Sequence, residues 1–259
     1  MKIARHLYQY RDLLLIFIWR EFAIRYRQSI IGVIWAILQP LSMMLLFTFV
    51  FSYILKIKVA EYPHVIFFFA GLLPWTFFSS SLNYSIQSLT NHYGLITKIY
   101  FPREIIPISG ISIAFADYLI ASIFFAALLF IYKIPVSLNA LWIIPLFVQL
   151  IFFTIAASLF LSSLNVYYRD VKLATGFIIQ LWFFASPVLY SIDRLDIKLK
   201  IILLLNPLTF IIENMRRCVL EDRGIVLWQF AFISLIIALC CLFSYRFFIR
   251  TERAFADVI

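Results

Sequence analysis

The sequence predicts an all-α integral membrane protein: six transmembrane helices, an N-terminal amphipathic interface helix, and a re-entrant outer hairpin before the last span. Three observations carry this. The 259-residue chain is 64% hydrophobic and only 14% charged, where a soluble domain carries about 25% charged residues. Its apolar residues fall in runs long enough, at about 1.5 Å per helical residue, to cross a hydrocarbon core about 30 Å thick. Its cations gather at the ends of those runs rather than on one compact patch. The net charge of +9 therefore suits anionic lipid surfaces or an anionic substrate, not nucleic acid. One membrane domain, 1–259, is expected.

Residues 1–28 come first. Leu15, Ile18, Trp19, Phe22 and Tyr26 recur at helical spacing on one stripe, and Arg20, Glu21, Arg25 and Arg27 lie off it. This is the pattern of a helix lying in the membrane interface. The apolar run Leu13 to Trp19 is short and no small-residue cleavage site follows, so no cleavable signal peptide is expected.

Spans one to five are expected within 29–190. The first is about 29–55, with Gln39-Pro40 in its middle, where a proline permits a kink. Arg20, Arg25 and Arg27 just before it set the start on the cytoplasmic side. Lys56, Lys58 and Glu61 make a short outer loop. The second span runs from Val65 to Ser88 and should bend at Gly71 and Pro74-Trp75. The polar stretch 91–104, with Lys98 and Arg103, returns the chain to the inside. Ile105 to Ile131 is the third span. Asp117 lies near its centre, and an ionisable group there is costly unless it faces protein or water. Hydrogen bonds to a neighbouring helix are the expected use; a substrate or proton path is the alternative. Lys133 marks the outer end.

The fourth span, about 138–165, ends in NVYYRDVK, where Arg169 and Lys172 again mark the inside. The fifth, Leu173 to Tyr190, is aromatic at Trp182, Phe183 and Phe184. In 191–224 the apolar core, 201–212, is too short to cross and is broken by Asn206-Pro207, which favours a re-entrant or interfacial hairpin. The last span and a cytoplasmic tail with Arg246, Arg250 and Arg253 fill 225–259. One feature conflicts with this layout. Arg194, Lys198, Lys200, Arg216, Arg217 and Arg223 all fall in the outer hairpin, against the positive-inside pattern.

Chemistry of its own is scarce. The chain has no G-x-x-x-x-G-K-[ST] loop and no G-x-G-x-x-G. His6, His64 and His92 are far apart, so no metal cluster or catalytic triad can be proposed from spacing. Cys218, Cys240 and Cys241 suggest neither a disulfide framework nor a metal site. Asp193 with Asp196 is the one close acid pair expected outside, and a solvated loop explains it equally well. The residues suit a conduit driven from elsewhere better than an enzyme.

A family resemblance adds to this. The stretch REFAIRYRQSIIGVIWAILQPL resembles the N-terminal junction of the membrane subunits of bacterial type-2 ABC exporters. Arg25, Arg27, Ser29, Gly32, Trp35 and Pro40 match that signature, with Ile31 where leucine is usual. Similar blocks follow in order: GLLPWTFFSSSL (71–82), IYFPREIIPIS (99–109), NVYYRDV (165–171), SPVLYS (186–191) and NPLTFIIENMR (206–216). The similarity is greatest to the subset that exports O antigens, capsules and wall teichoic acids.

The resemblance implies six spans in the bacterial cytoplasmic (inner) membrane, with both termini cytoplasmic. It implies a homodimer with two copies of a separate ABC ATPase, which binds ATP and Mg; no cofactor is expected on this chain. It implies a polyprenyl-diphosphate-linked glycan as substrate. Arg20, Arg25, Arg27 and Ser29 would meet it at the inner interface, where guanidinium groups suit a diphosphate; anchoring to anionic lipid heads is the alternative. Trp35, Phe47, Phe51, Phe177, Trp182, Phe183 and Phe184 would line the path. Lys98, Tyr100, Pro102, Arg103 and Glu104, with Tyr168, Arg169 and Asp170, would contact the ATPase. Asn206, Pro207 and Glu213 would form the outer gate. A type-2 exporter of drugs or other lipids, a membrane glycosyltransferase or polymerase, and a passive channel stay open as alternatives.

Overall fold

The computed structural model describes residues 9–27, 32–59, 61–99 and 101–255. Ser29 and Tyr100 lie outside the described residues. Helix α1 is Arg11–Tyr26. The first long segment opens with a turn of 3-10 helix, Gly32–Ile34, continues as α2, Trp35–Phe49, and ends in a π-helical stretch, Val50–Ile54. Then come α3, His64–Asn91, a short α4, Tyr93–Ile96, and α5, Ile105–Ile131. A 3-10 turn, Leu138–Trp142, leads into α6, Ile143–Tyr167. Helix α7 is Asp170–Phe184, α8 is Ile197–Leu204, α9 is Pro207–Leu220 and α10 is Leu227–Thr251.

Helix α3 is the axis of the bundle. In its most apolar window 78% of residues are buried, against 17% in the first long segment. It packs against α2, α5, α6 and α9. Its closest approach is to α5: Gly110 sits where an added Cβ would meet the Ser85 nitrogen at 3.3 Å, and the Ser85 hydroxyl donates to the Pro107 carbonyl at 2.9 Å. Asn165 of α6 donates to the Ile86 carbonyl at 3.0 Å, so a buried amide joins the third neighbour. Rings fill the remaining interior, among them Phe78 stacked on Phe153 and Tyr118 on Phe147.

The chain ends meet at one end of this bundle. Phe17 of α1 shares a cluster with Phe101, Val166, Phe248 and Phe255. Helix α10 runs beside α6 in the same direction: Trp142 meets Phe230, Phe160 meets Phe247, and Tyr167 donates to the Thr251 carbonyl at 3.0 Å. The segment between them, 168–226, therefore returns from one end of the bundle to the other.

Among the described residues, five segments are long and apolar enough to cross a membrane: Gly32–Ile54, His64–Asn91, Ile105–Ile131, Leu138–Tyr167 and Leu227–Ala254. The expected fifth span, Leu173 to Tyr190, is not among them. Its helix, α7, has 15 residues and measures about 22 Å, short of a hydrocarbon core. The chain breaks after Phe184 because the next carbonyls and amides have other uses. Pro187, Val188 and Tyr190 give their carbonyls to the Arg216 side chain.

Those bonds anchor α9, which is buried on nearly every side. Asn206 caps it, its Oδ1 accepting from the Leu208 amide at 3.1 Å, and Pro207 occupies the first turn, where no amide is needed. The Arg216 guanidinium, 2% exposed, lies 3.9 Å from the centre of the Phe67 ring and 3.2 Å from Glu213. It reaches that position over Gly71 of α3, where a Cβ would come within 2.4 Å of its Nη2 and 2.8 Å of the Val188 carbonyl. Arg217 pairs with Asp193 at 2.6 Å, Lys200 pairs with Asp193 at 3.1 Å, and Arg223 pairs with Glu221 at 3.5 Å. Burial works to raise the Asp193 carboxyl, yet Lys200 and Arg217 hold it below its usual value. Acids within the hairpin thus neutralise several of the cations that conflicted with the positive-inside pattern.

A Gly71→Ala change should lower thermal stability of the purified protein by about 1–3 kcal/mol through overpacking. Arg216→Leu should cost more, about 3–5 kcal/mol, because it leaves Glu213 buried without its cation. Asp193→Asn removes a half-exposed pair and should cost no more than about 1 kcal/mol. Unfolding midpoints of the three variants check this order.

Candidate functional site

The interface-helix expectation changes once α1 is placed. Its packed face is Leu14, Phe17, Glu21 and Arg25, while Leu15, Ile16, Trp19 and Ile24 point away from the bundle. The charged residues face inward because partners wait there. Glu21 meets the His92 ring nitrogen at 3.3 Å, and His92, 7% exposed, is held by the Ser88 carbonyl at 2.8 Å and by the edge of Phe17. Arg25 pairs with Asp117 at 2.8 Å and lies 4.9 Å from the centre of the Tyr84 ring. The Tyr26 hydroxyl donates to the same carboxylate. Burial, then that hydrogen bond, pushes the Tyr26 phenol up to about 12, so it stays a donor.

Asp117 is thus tied to a neighbouring helix, as a lone acid in a span should be. It lies twelve residues into α5, about 18 Å from that helix's start. Helix α1 therefore climbs along α5 rather than lying flat at its end.

Between α1 and the first long segment is a cavity of about 570 Å³, lined by Glu21, Arg25, Tyr26, Gly32, Trp35, Gln39 and Tyr84 among others. Gly32 has a φ of +55°, which glycine adopts without strain and which turns the chain from α1 into α2. The cavity brings together two residues expected at different tasks, Arg25 for substrate access and Trp35 for the path. Arg20 and Arg27 are exposed beside it.

The other path candidates divide. Trp35, Phe177 and Phe184 are exposed. Phe47, Phe51 and Trp182 are half-buried, and Phe183 is buried. Phe47 stacks on Phe183 with centres 5.8 Å apart, which joins the first long segment to α7. Both helices also leave polar side chains bare at mid-length: Gln39 and Ser42 on α2, Gln180 on α7. The period of apolar residues hid these, since each polar residue alone looks like noise in a greasy run.

At the end that carries 91–104 and 165–172, Lys98, Tyr168, Arg169 and Asp170 are exposed, and Pro102 is half-buried. Arg103 donates to the Glu252 carbonyl and faces the Phe255 ring, and Glu104 is 1% exposed. Arg103 thus holds the tail against the bundle. At the other end Asn206 donates to the Ser186 hydroxyl at 3.1 Å, and Glu213 takes Arg216 and Arg217. Pro207 is buried at the start of α9. The three gate candidates are thus grouped around one hairpin. Sequence reasoning missed Gly71, Phe67, Arg216 and His92, whose partners are distant in the chain.

The chain matches the family model for the ABC-2 type transporter over residues 12–220. It is 29% identical over 250 residues to the O-antigen export system permease protein RfbA of Klebsiella pneumoniae, covering 96% of this chain and 95% of that protein. The RfbA permease of Myxococcus xanthus is 30% identical over 226 residues, 86% of each chain. The polysialic acid transport protein KpsM of Escherichia coli is 23% identical over 238 residues, 88% of this chain and 90% of that one. With the family match extending over most of its length, and five long apolar helices beneath it, this chain belongs to the ABC-2 type transporter family.

Proposed function

We propose that this chain is the membrane subunit of an ATP-driven exporter that moves lipid-linked cell-surface polysaccharide across the bacterial cytoplasmic membrane. The observation that carries this is similarity along nearly the whole chain to permeases named for O-antigen and polysialic acid export. ATP hydrolysis belongs to a separate subunit; ATP and Mg act there. Two copies of this chain work with two copies of that ATPase, both termini on its side of the membrane. Segment 168–226 makes the sixth crossing as a broken one: α7 enters from the inner side, and α8 with α9 forms a re-entrant hairpin that completes it. Irregular backbone at membrane depth is tolerated where protein buries it, and α9 is so buried.

Physical reasons support a path at the seam between two copies. Gln39 and Gln180 are bare on otherwise apolar helices, and such groups are costly against lipid, whereas the Ser42 hydroxyl donates to the Gln39 carbonyl at 2.9 Å. A seam that carries a hydrated glycan gives them water and sugar hydroxyls. Trp35, Phe177 and Phe184 stand on the same two helices and offer ring faces to the C–H faces of sugars. Arg20 and Arg27, exposed on α1 and just after it, meet the lipid-linked substrate as it approaches from the inner interface. Arg25 holds α1 in place through Asp117.

The ATPase docks on the exposed ends, Lys98 with Tyr168 and Asp170, while Arg103 and Glu104 stiffen the segment behind them. Closing of the ATPase pair on nucleotide pulls these turns, and α1, α3 and α5 move as one block because Arg25–Asp117, Glu21–His92 and the Ser85–Pro107 hydrogen bond join them.

Deleting this gene should leave polymer inside the cell, and restoring the chain should return it to the surface. Normal surface polymer in the deletion strain would end the proposal. Arg25→Ala should cost about 1–3 kcal/mol of stability, since the pair is only partly buried. Arg25→Ala with Asp117→Ala should recover stability; export recovering with it would limit Arg25 to anchoring. Reversing charge at Lys98 and Asp170 together should weaken retention of the ATPase on affinity-purified membranes roughly tenfold or more, with the fold's melting midpoint unchanged.

A further inference from the structure

A second polar cavity, of about 420 Å³, lies where α3 and α6 end and α7 begins. Its lining is Gln87, Thr90, Asn91 and Tyr93 from the first side, Asn165 and Val166 from α6, and Arg169 and Lys172 from the second side. No carboxylate lines it. Among the described residues, neither Arg169 nor Lys172 forms an ion pair. This separates it from the α1–α2 cavity, where Glu21 is part of the wall and Arg25 is already neutralised by Asp117. The nearest acid in sequence, Asp170, is exposed and is not part of the wall.

We propose that this cavity binds the phosphate or diphosphate head of a lipid. Arg169 and Lys172 stand one turn apart on a helix, the arrangement that lets a guanidinium fork and an ammonium hold neighbouring phosphate oxygens. The side-chain amides of Gln87 and Asn91 add neutral donors to the wall, while the Thr90 hydroxyl donates to the Gln87 carbonyl at 3.0 Å. A free anion would leave the rim unexplained. Tyr93, Tyr168 and Leu173, all more than half exposed, border the cations as an aromatic and apolar edge suited to the headgroup level. From Leu173 a bare and wholly apolar side of α7 continues through Ala174, Ile178 and Leu181, beside the stripe that carries Phe177, Gln180 and Phe184. A hydrocarbon tail lies along that side while its phosphate sits between the cations. The head belongs either to an anionic phospholipid of the bilayer or to the polyprenyl diphosphate carrier; the second source rests on the export reading above.

The test uses the complex of this chain with its ATPase in phosphatidylcholine nanodiscs. Two probes, phosphatidylglycerol and undecaprenyl diphosphate, are added separately and bound lipid is counted by native mass spectrometry. Arg169→Gln with Lys172→Gln should weaken at least one probe by roughly ten- to a hundredfold. Arg169→Lys with Lys172→Arg should keep most of the binding, and Lys198→Gln should keep all of it. Loss of undecaprenyl diphosphate assigns the cavity to the carrier. Loss of phosphatidylglycerol alone assigns it to bilayer lipid and leaves the export reading untouched. Unchanged binding of both probes overturns the proposal. So does release of the ATPase with lipid binding unchanged, which would give these cations to the partner subunit. The export reading fails separately, if the wild-type complex binds undecaprenyl diphosphate but the deletion strain displays normal surface polymer.

Discussion

A charge drawn out of water must find its counter-charge in the protein, and that requirement shapes this bundle at two places. On one side Arg25 of α1 meets Asp117 deep along α5. On the other Arg216 of α9 meets Glu213 and three backbone carbonyls beside α3. The first pair joins α1 to α5; Arg216, whose acid is on its own helix, joins α9 to α3 through the Phe67 ring and to the 187–190 segment through carbonyls. Helix α1 has no uninterrupted apolar length for a span, and α9 carries Glu213, Arg216 and Arg217. Desolvating such ions costs several kcal/mol each. They stay in place because the geometry of recovery is good: a short carboxylate contact and a tyrosine donor in one case, a carboxylate and three carbonyl acceptors on the two terminal nitrogens in the other.

The two pairs have opposite consequences for the path. Arg216 uses the carbonyls released where the chain breaks after Phe184, so the break and the buried cation need each other. Gly71 is the third party, since any larger residue would displace the guanidinium from its place over Phe67. The hairpin is therefore bound to the central helix and resists opening. Arg25, by contrast, has one acid and two tyrosines around it and keeps a cavity on its far side. The cavity beside α1 is polar, whereas the one beside α9, about 450 Å³ and lined by Met215 and Val219 with Leu73 and Ile143, is apolar.

Much of this was legible in the sequence. Apolar length marked the five long spans. Asn206-Pro207 marked the start of α9, because a cap followed by proline is a local signal that needs no tertiary knowledge. Asp117 could be seen to need a partner, but the partner could not be named, because Arg25 lies 92 residues away on what looked like a surface helix. The same limit hid the second knot. Arg216 read as one more outer cation, and only Gly71, Phe67 and the 187–190 carbonyls, all brought in by the fold, show that it is interior. The length of α7 was over-read, since apolar composition continues through Tyr190 although helical geometry stops at Phe184.

Charge bookkeeping along the chain thus has to be done after pairing, not before. Counted as bare cations, the residues of 191–224 argue against an outer hairpin. Counted with Asp193, Glu213 and Glu221, Lys200, Arg216, Arg217 and Arg223 are largely neutralised, and the field they exert on the membrane shrinks. The same treatment separates Arg25 from Arg169 and Lys172. All three are cations near the same end of the bundle, yet only the last two keep their charge available. Availability, rather than position in a basic stretch, decides which of them can attract a phosphate.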